Sequence, residues 1–141
     1  MTNDGARVDA GLAGVKVLLV EDHEDTRLML RAFLEHEGAI VSEADSAEGA
    51  LVTVGAAPPD VVLTDVAFGH GTPDGLWLLE RLRATPPLAG MAVVVVTGHA
   101  QRRAELQRCG FDDVMIKPIE LGDLGDVVRG AMARRRALAC G

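Results

Sequence analysis

The stretch "DVVLTDVAFGHGTPDG", residues 60–75, decides the fold. An apolar, β-branched run stops at a carboxylate, Asp65, and passes into a glycine-rich loop that closes on Asp74-Gly75. Valine and leucine without polar alternation suit a strand buried on both faces. An acid at the end of such a strand either caps the next turn or is presented to a ligand.

Working outward, the same kind of run recurs. "VKVLLV" (15–20), "AIVSEA" (39–44), "MAVVVVT" (91–97) and "DVMIK" (113–117) read as further strands. Between them lie helical patterns. Residues 24–38 place Leu30, Phe33 and Leu34 at helical spacing and end at Gly38. Asp45 with Glu48 predicts a capping box for a second helix. A third helix is expected from near Thr72, with Pro73 in its first turn and Leu76, Leu79 and Leu82 on one face. Residues 100–110 and 120–138 complete the set. Strands alternating with helices over short links predict an α/β fold, a parallel sheet covered on both faces. The strand near Ser42 and Glu43 is the one expected at an edge. Right-handed crossovers then favour the flavodoxin-like order 2-1-3-4-5, with five strands and five helices.

At 141 residues and 48% hydrophobic, the chain suits one well-buried core. Residues 1–14 read as a flexible tail, 15–138 as the domain and 139–141 as a short C-terminal tail. The net charge of −7 disfavours nucleic-acid binding. "MAVVVV" is far shorter than a membrane span, and "MTNDGARVDAGLAG" lacks a signal-peptide core, so a cytoplasmic, soluble protein is expected. Cys109 and Cys140 form neither a disulfide framework nor a metal motif.

All carboxyl ends of a parallel sheet lie along one edge, where ligands bind. On that edge the sequence puts Glu21-Asp22, Asp65, Thr97 and Lys117-Pro118. Three neighbouring carboxylates must take up protons or recruit a cation. An all-oxygen cluster suits Mg²⁺ beside phosphate. Lys117 adds a point charge for a phosphoryl group, Thr97 a hydroxyl, and Asp65 is itself a candidate nucleophile.

With these residues in this order, the sequence resembles the response-regulator receiver domain of two-component signalling over roughly residues 14 to 138. The resemblance implies that Asp65 accepts a phosphoryl group from a sensor histidine kinase or a histidine phosphotransfer protein. It implies direct Mg²⁺ ligation by Asp22, Asp65 and the Ala67 backbone carbonyl, with Glu21 acting through water. Lys117 would pair with the phosphoryl oxygens, Thr97 would hydrogen-bond one of them, and the Lys117-Pro118 bond would be cis. Such a domain is a phosphoacceptor, not a metabolic enzyme. Its partner surface, an unknown downstream protein or a homodimer, would be helix 4, strand 5 and helix 5. Arg102, Arg103, Arg108, Asp123, Asp126 and Arg129 are available there for ion pairs. With three residues after the last expected helix, the chain reads as a stand-alone receiver or as a piece of a larger regulator.

Taken singly, each residue has an ordinary explanation. Asp65 could cap a turn, Glu21-Asp22 could favour a helix start, and Thr97 and Lys117 are common strand-end residues. His23, His36, His70 and His99 read as solvent-facing, His99 also standing two residues after Thr97, a position that in this family tunes phosphoryl lifetime. Trp77 is expected to pack on or beside the third helix, and "RRR" (134–136) reads as a charge run at a helix C-terminus.

The pattern departs from the family in three places. The loop after Asp65 is about two residues longer than usual, with Gly69 in place of a proline and Pro73 later. The segment from Thr97 to Lys117 is about two residues shorter, predicting a trimmed fourth helix or loop. Val114 stands where an aromatic switch residue is often found. Among rivals, an aspartate-nucleophile phosphohydrolase would need a second aspartate where Ala67 stands, and a dinucleotide site a glycine-rich turn where "EDHEDT" stands. A receiver-like scaffold that binds partners without phosphorylation is the alternative function.

Overall fold

The computed structural model describes residues 11–68 and 73–140. Five parallel strands form one sheet: β1 (Lys16–Val20), β2 (Ile40–Ala44), β3 (Val61–Asp65), β4 (Ala92–Thr97) and β5 (Asp113–Ile116). Their order is β2-β1-β3-β4-β5, every neighbouring pair parallel. The helices are α1 (Glu24–His36), α2 (Ala47–Ala56), α3 (Gly75–Ala84), α4 (Arg103–Cys109) and α5 (Leu121–Cys140), with 3₁₀ turns at Pro86–Leu88 and Ala100–Arg102. This is the doubly wound flavodoxin-like arrangement.

Alternation along the strands divides the core. Val17, Leu19, Leu63, Val94 and Val96 pack with Leu30 and Leu34 of α1 and Leu124, Val128 and Ala131 of α5. Leu18, Val20, Val62, Val93 and Val95 face the other way, onto Ala50 and Val54 of α2, Leu78, Leu79 and Leu82 of α3, and Leu106 of α4. The inner strands are therefore apolar on both faces up to their carboxyl ends, where Thr64, Asp65 and Thr97 are buried, and each buried leucine contributes about 1.5–3 kcal/mol. β2 and β5 are the two edge strands, and the residues of β2 are exposed or half-buried.

Several local expectations shift. The N-cap of α2 is Ser46, whose extended backbone lets its hydroxyl accept from Gly49 N, and Asp45 stands one residue outside. The N-cap of α3 is Asp74, which accepts from Trp77 N, so the helix starts at Gly75 and Pro73 precedes the cap. Thr72, Gly69 and His70 lie outside the described residues. The fourth helix is indeed short: seven residues after a 3₁₀ turn, closed by Gly110 at φ 114°.

The folded body also begins before residue 15, contrary to the expected tail boundary. Residues 11–14 form a turn that buries Leu12 completely. Leu12 N donates to Glu37 O at 2.9 Å, Gly14 N to Gly38 O at 3.1 Å, and Arg129 to Gly11 O at 2.8 Å. One apolar side chain in a Gly/Ala-rich segment carries no periodic signal, yet burying it is worth about as much as a core leucine.

At the amino ends of the strands a second network closes the sheet. Arg83 donates to the carbonyls of Ala89, Met91 and Gly110 and to Asp112. Asp112, its side chain 3% exposed, also accepts from Val93 N and Arg135 Nε. Arg134 reaches Asp113. Two arginines of the "RRR" run thus tie α5 to the sheet instead of only answering the helix dipole. Arg102, at the end of the 3₁₀ turn, pairs with Glu105 of α4, and Arg129 with Asp126 within α5, which engages three of the residues expected for cross-subunit pairing.

Candidate functional site

At the opposite edge, the carboxyl ends of β1, β3, β4 and β5 bring the chemistry together. Glu21 and Asp22 follow β1, Asp65 ends β3, Thr97 ends β4, and Lys117 follows β5. Glu21, Asp22 and Asp65 each offer a carboxylate oxygen within 4.8 Å of the others. Lys117 Nζ donates to Asp65 Oδ2 at 2.9 Å, and Asp65 Oδ1 accepts from Val66 N at 3.0 Å. Asp65 is 8% exposed, Glu21 4% and Thr97 fully buried. The carboxylate that could react is therefore walled in, with two donors holding its two oxygens.

The backbone explains the placement. Val66 N continues the sheet ladder to Val96 O at 3.0 Å, so the strand direction persists past Asp65. Gly75 N then donates to Val66 O at 2.9 Å, pulling the start of α3 against the strand end. A Cβ at Gly75 would stand 2.4 Å from the Asp65 carbonyl oxygen, so only glycine fits this approach. Lys117 N donates to Thr97 O at 2.8 Å, which keeps the two strand ends in register, and the Lys117-Pro118 bond is cis. The Thr97 hydroxyl accepts from His99 N at 3.1 Å, leaving its own proton free to be donated.

Charge in the site is unbalanced. Burial pushes the Glu21 carboxyl above its ordinary pKa, and the charges of Asp65 and Asp22 add to this against the His23 N–H bond and Lys117. Partial burial works against the Lys117 ammonium. The hydrogen bond and charge of Asp65, then Glu21 and Asp22, outweigh it and hold that group above its ordinary value. Three acids facing one ammonium make a site short of positive charge. An all-oxygen donor set of this kind fits a hard divalent cation that keeps part of its water shell.

Ala67 is exposed just beyond the strand, while Val114 is buried in the core on the α2–α4 face. His99 and His36 are exposed, and His23, also exposed, caps α1 by accepting from Thr26 N. Trp77 packs partly against the core with Arg81 5.0 Å above its ring.

Comparison with known proteins decides the family. The model for the response regulator receiver domain matches residues 17–129. The chain belongs to that family. It is 38% identical over 112 residues to the uncharacterized 14.6 kDa protein of the sodA1 3′ region in Leptolyngbya boryana, covering 77% of this chain and 83% of that one. It is 30% identical over 123 residues to the KDP operon transcriptional regulatory protein KdpE of Escherichia coli (strain K12), covering 86% of this chain but only 52% of KdpE. Among solved structures, the receiver domain of NtrX from Brucella abortus superposes with a TM-score of 0.75 at 28% identity, over 83% of this chain and 98% of that one. The chain is thus a receiver domain homologous to response regulators of two-component systems. Among the described residues, no helix is long and apolar enough to cross a membrane.

One residue of this receiver edge carries no signal in the sequence pattern. Arg27, in the first turns of α1, donates from Nη1 to the Glu21 carbonyl at 2.8 Å and from Nε to Glu43 Oε1 at 2.8 Å. Its partner on β2 lies sixteen positions away, beyond any helical or strand periodicity.

Proposed function

We propose that Asp65 is the phosphoacceptor of this receiver, taking a phosphoryl group from a sensor histidine kinase or a histidine phosphotransfer protein in the cytoplasm. The observation that carries the reading is Lys117 Nζ at 2.9 Å from Asp65 Oδ2, beside the clustered acids Glu21 and Asp22. Asp65, Asp22 and the Ala67 carbonyl would hold Mg²⁺ directly, and Glu21 through water. Bound there, the ion supplies charge neutralisation for the incoming phosphoryl oxygens.

The chain's own residues do the rest. An Asp65 carboxylate oxygen forms a bond to phosphorus as the donor's P–N or P–O bond breaks, and the leaving group carries away the electron pair. Lys117, kept protonated by its acidic neighbours, exchanges its carboxylate partner for a phosphoryl oxygen. Thr97, with a free hydroxyl proton, donates to another. Moving Thr97 draws on the loop that starts at Gly98, and the change is read on α4, β5 and α5 by a downstream protein or a second copy. With Val114 buried in place of an aromatic, that reading proceeds without a swinging ring at this position.

Intact mass after incubation with acetyl phosphate tests the proposal. One added phosphoryl group that requires both Mg²⁺ and Asp65, and is lost in Asp65→Asn, is the expected result. No gain under any condition would leave the non-phosphorylated scaffold as the function.

A further inference from the structure

Arg27 makes bonds that reach beyond an ordinary surface ion pair. The carbonyl it holds belongs to the peptide plane joining Glu21 to Asp22, the plane from which the Asp22 side chain departs. On the other side of Glu21, its N–H donates to Ala44 O at 3.1 Å, and its Oε2 accepts from His23 N at 3.0 Å. Without Arg27, the peptide after Glu21 could rotate and swing Asp22 with it. Glu43 braces the guanidinium from β2, and Arg31 holds the second oxygen of Glu43. Arg27 and Glu43 side chains are 18% and 23% exposed, so the pair is sheltered enough to hold one geometry. Only a guanidinium can donate from Nε and Nη to two acceptors in this fork.

We propose that Arg27 is a positioning residue for the cation site, fixing the Glu21–Asp22 peptide through the Glu21 carbonyl, with Glu43 as its brace. The inference rests on Mg²⁺ binding at Asp22 and Asp65, as in the proposed function. The sign of the effect separates it from simple electrostatics. A nearby guanidinium repels Mg²⁺, so by charge alone its removal strengthens binding. If it positions the acids, its removal weakens binding, as loss of a supporting partner commonly does by about 10- to 100-fold.

The test is isothermal titration of MgCl₂ into the full chain, with urea midpoints measured on the same proteins. Arg27→Met is expected to weaken Mg²⁺ binding about tenfold. Arg27→Lys, which keeps the charge and one of the two bonds, falls between it and wild type and serves if the methionine variant does not fold. Glu43→Gln weakens binding less, and the double variant with Arg27→Met is no weaker than Arg27→Met alone. Arg83→Met, which breaks the network at the far end of the sheet, loses stability but keeps wild-type affinity. Unchanged or tighter binding in Arg27→Met and Arg27→Lys, with wild type binding normally, overturns the positioning role alone. A wild-type chain that binds no Mg²⁺ overturns the metal reading and this inference with it.

Discussion

Replacing Gly75 by alanine probes the tightest junction between fold and site. The added Cβ would stand 2.4 Å from the Asp65 carbonyl oxygen and 3.0 Å from the Val66 Cα. A relaxed C···O contact is about 3.3 Å, so the start of α3 and the end of β3 must part by roughly 0.9 Å. Both obstructing atoms are backbone and cannot rotate aside. Overpacking of this kind costs about 1–3 kcal/mol, and alanine returns up to about 1 kcal/mol as the better helix former. A net loss of about 1–2 kcal/mol is expected in urea unfolding. The larger effect falls on chemistry, because the displaced backbone carries the Asp65 carboxylate. A misplacement near 1 Å can lower a rate by about 100-fold. The assay is the initial rate of labelling by acetyl phosphate at saturating Mg²⁺, on samples whose unfolding midpoints are also measured. Gly55→Ala is the control: an added Cβ there meets nothing within 4 Å, so a gain of roughly 0.5 kcal/mol and wild-type labelling are expected. A Gly75→Ala protein that labels at the wild-type rate would refute the claim that this close approach sets the position of Asp65.

Other perturbations separate stability from chemistry. Asp112→Ala leaves Val93 N, Arg83 and Arg135 without their shared acceptor, and should lower stability by about 2–3 kcal/mol, less than a fully buried pair because both arginines keep some solvent. Its labelling rate should stay at the wild-type level under folding conditions, and a loss under about 1 kcal/mol in urea would count against the network's role. Glu21 has a folded pKa raised above its unfolded value, so the native state holds its proton more tightly as pH rises through that window. Stability of the metal-free protein therefore falls as pH climbs from the usual glutamate range through the raised value. Glu21→Gln should flatten that fall and be the more stable protein at pH 7 in chelator, an order that unfolding curves at stepped pH would reveal or contradict.

Legibility in the sequence tracks the range of each physical signal. Strand order was readable because β1, β3 and β4 are buried on both faces and leave unbroken apolar runs, while β2 betrays its edge position through Ser42 and Glu43. The gathering of Asp22, Asp65, Thr97 and Lys117 at one edge was readable because a parallel sheet sends every strand's end to the same side. Helix starts moved by up to about three residues. Asp45 and Ser46 are both able to cap, and only the extended backbone of Ser46, at φ −152° and ψ 160°, decides between them. Leu12, Arg27 and the Arg83–Asp112 pair escaped notice for one reason: each acts through a partner distant in sequence, and neither period nor spacing encodes such a contact. The close packing of Gly75 on Asp65 was hidden in the same way, although the Asp-Gly pair itself was conspicuous.

In the proposed function Asp65, and no other side chain, takes the phosphoryl group. Borohydride reduction of the acetyl-phosphate-treated protein, then peptide mass spectrometry, tests it most directly, since an aspartyl phosphate is reduced to homoserine while a free carboxylate is not. Homoserine is expected at position 65 alone, dependent on Mg²⁺ during labelling. Homoserine at another aspartate, or at none, would contradict it.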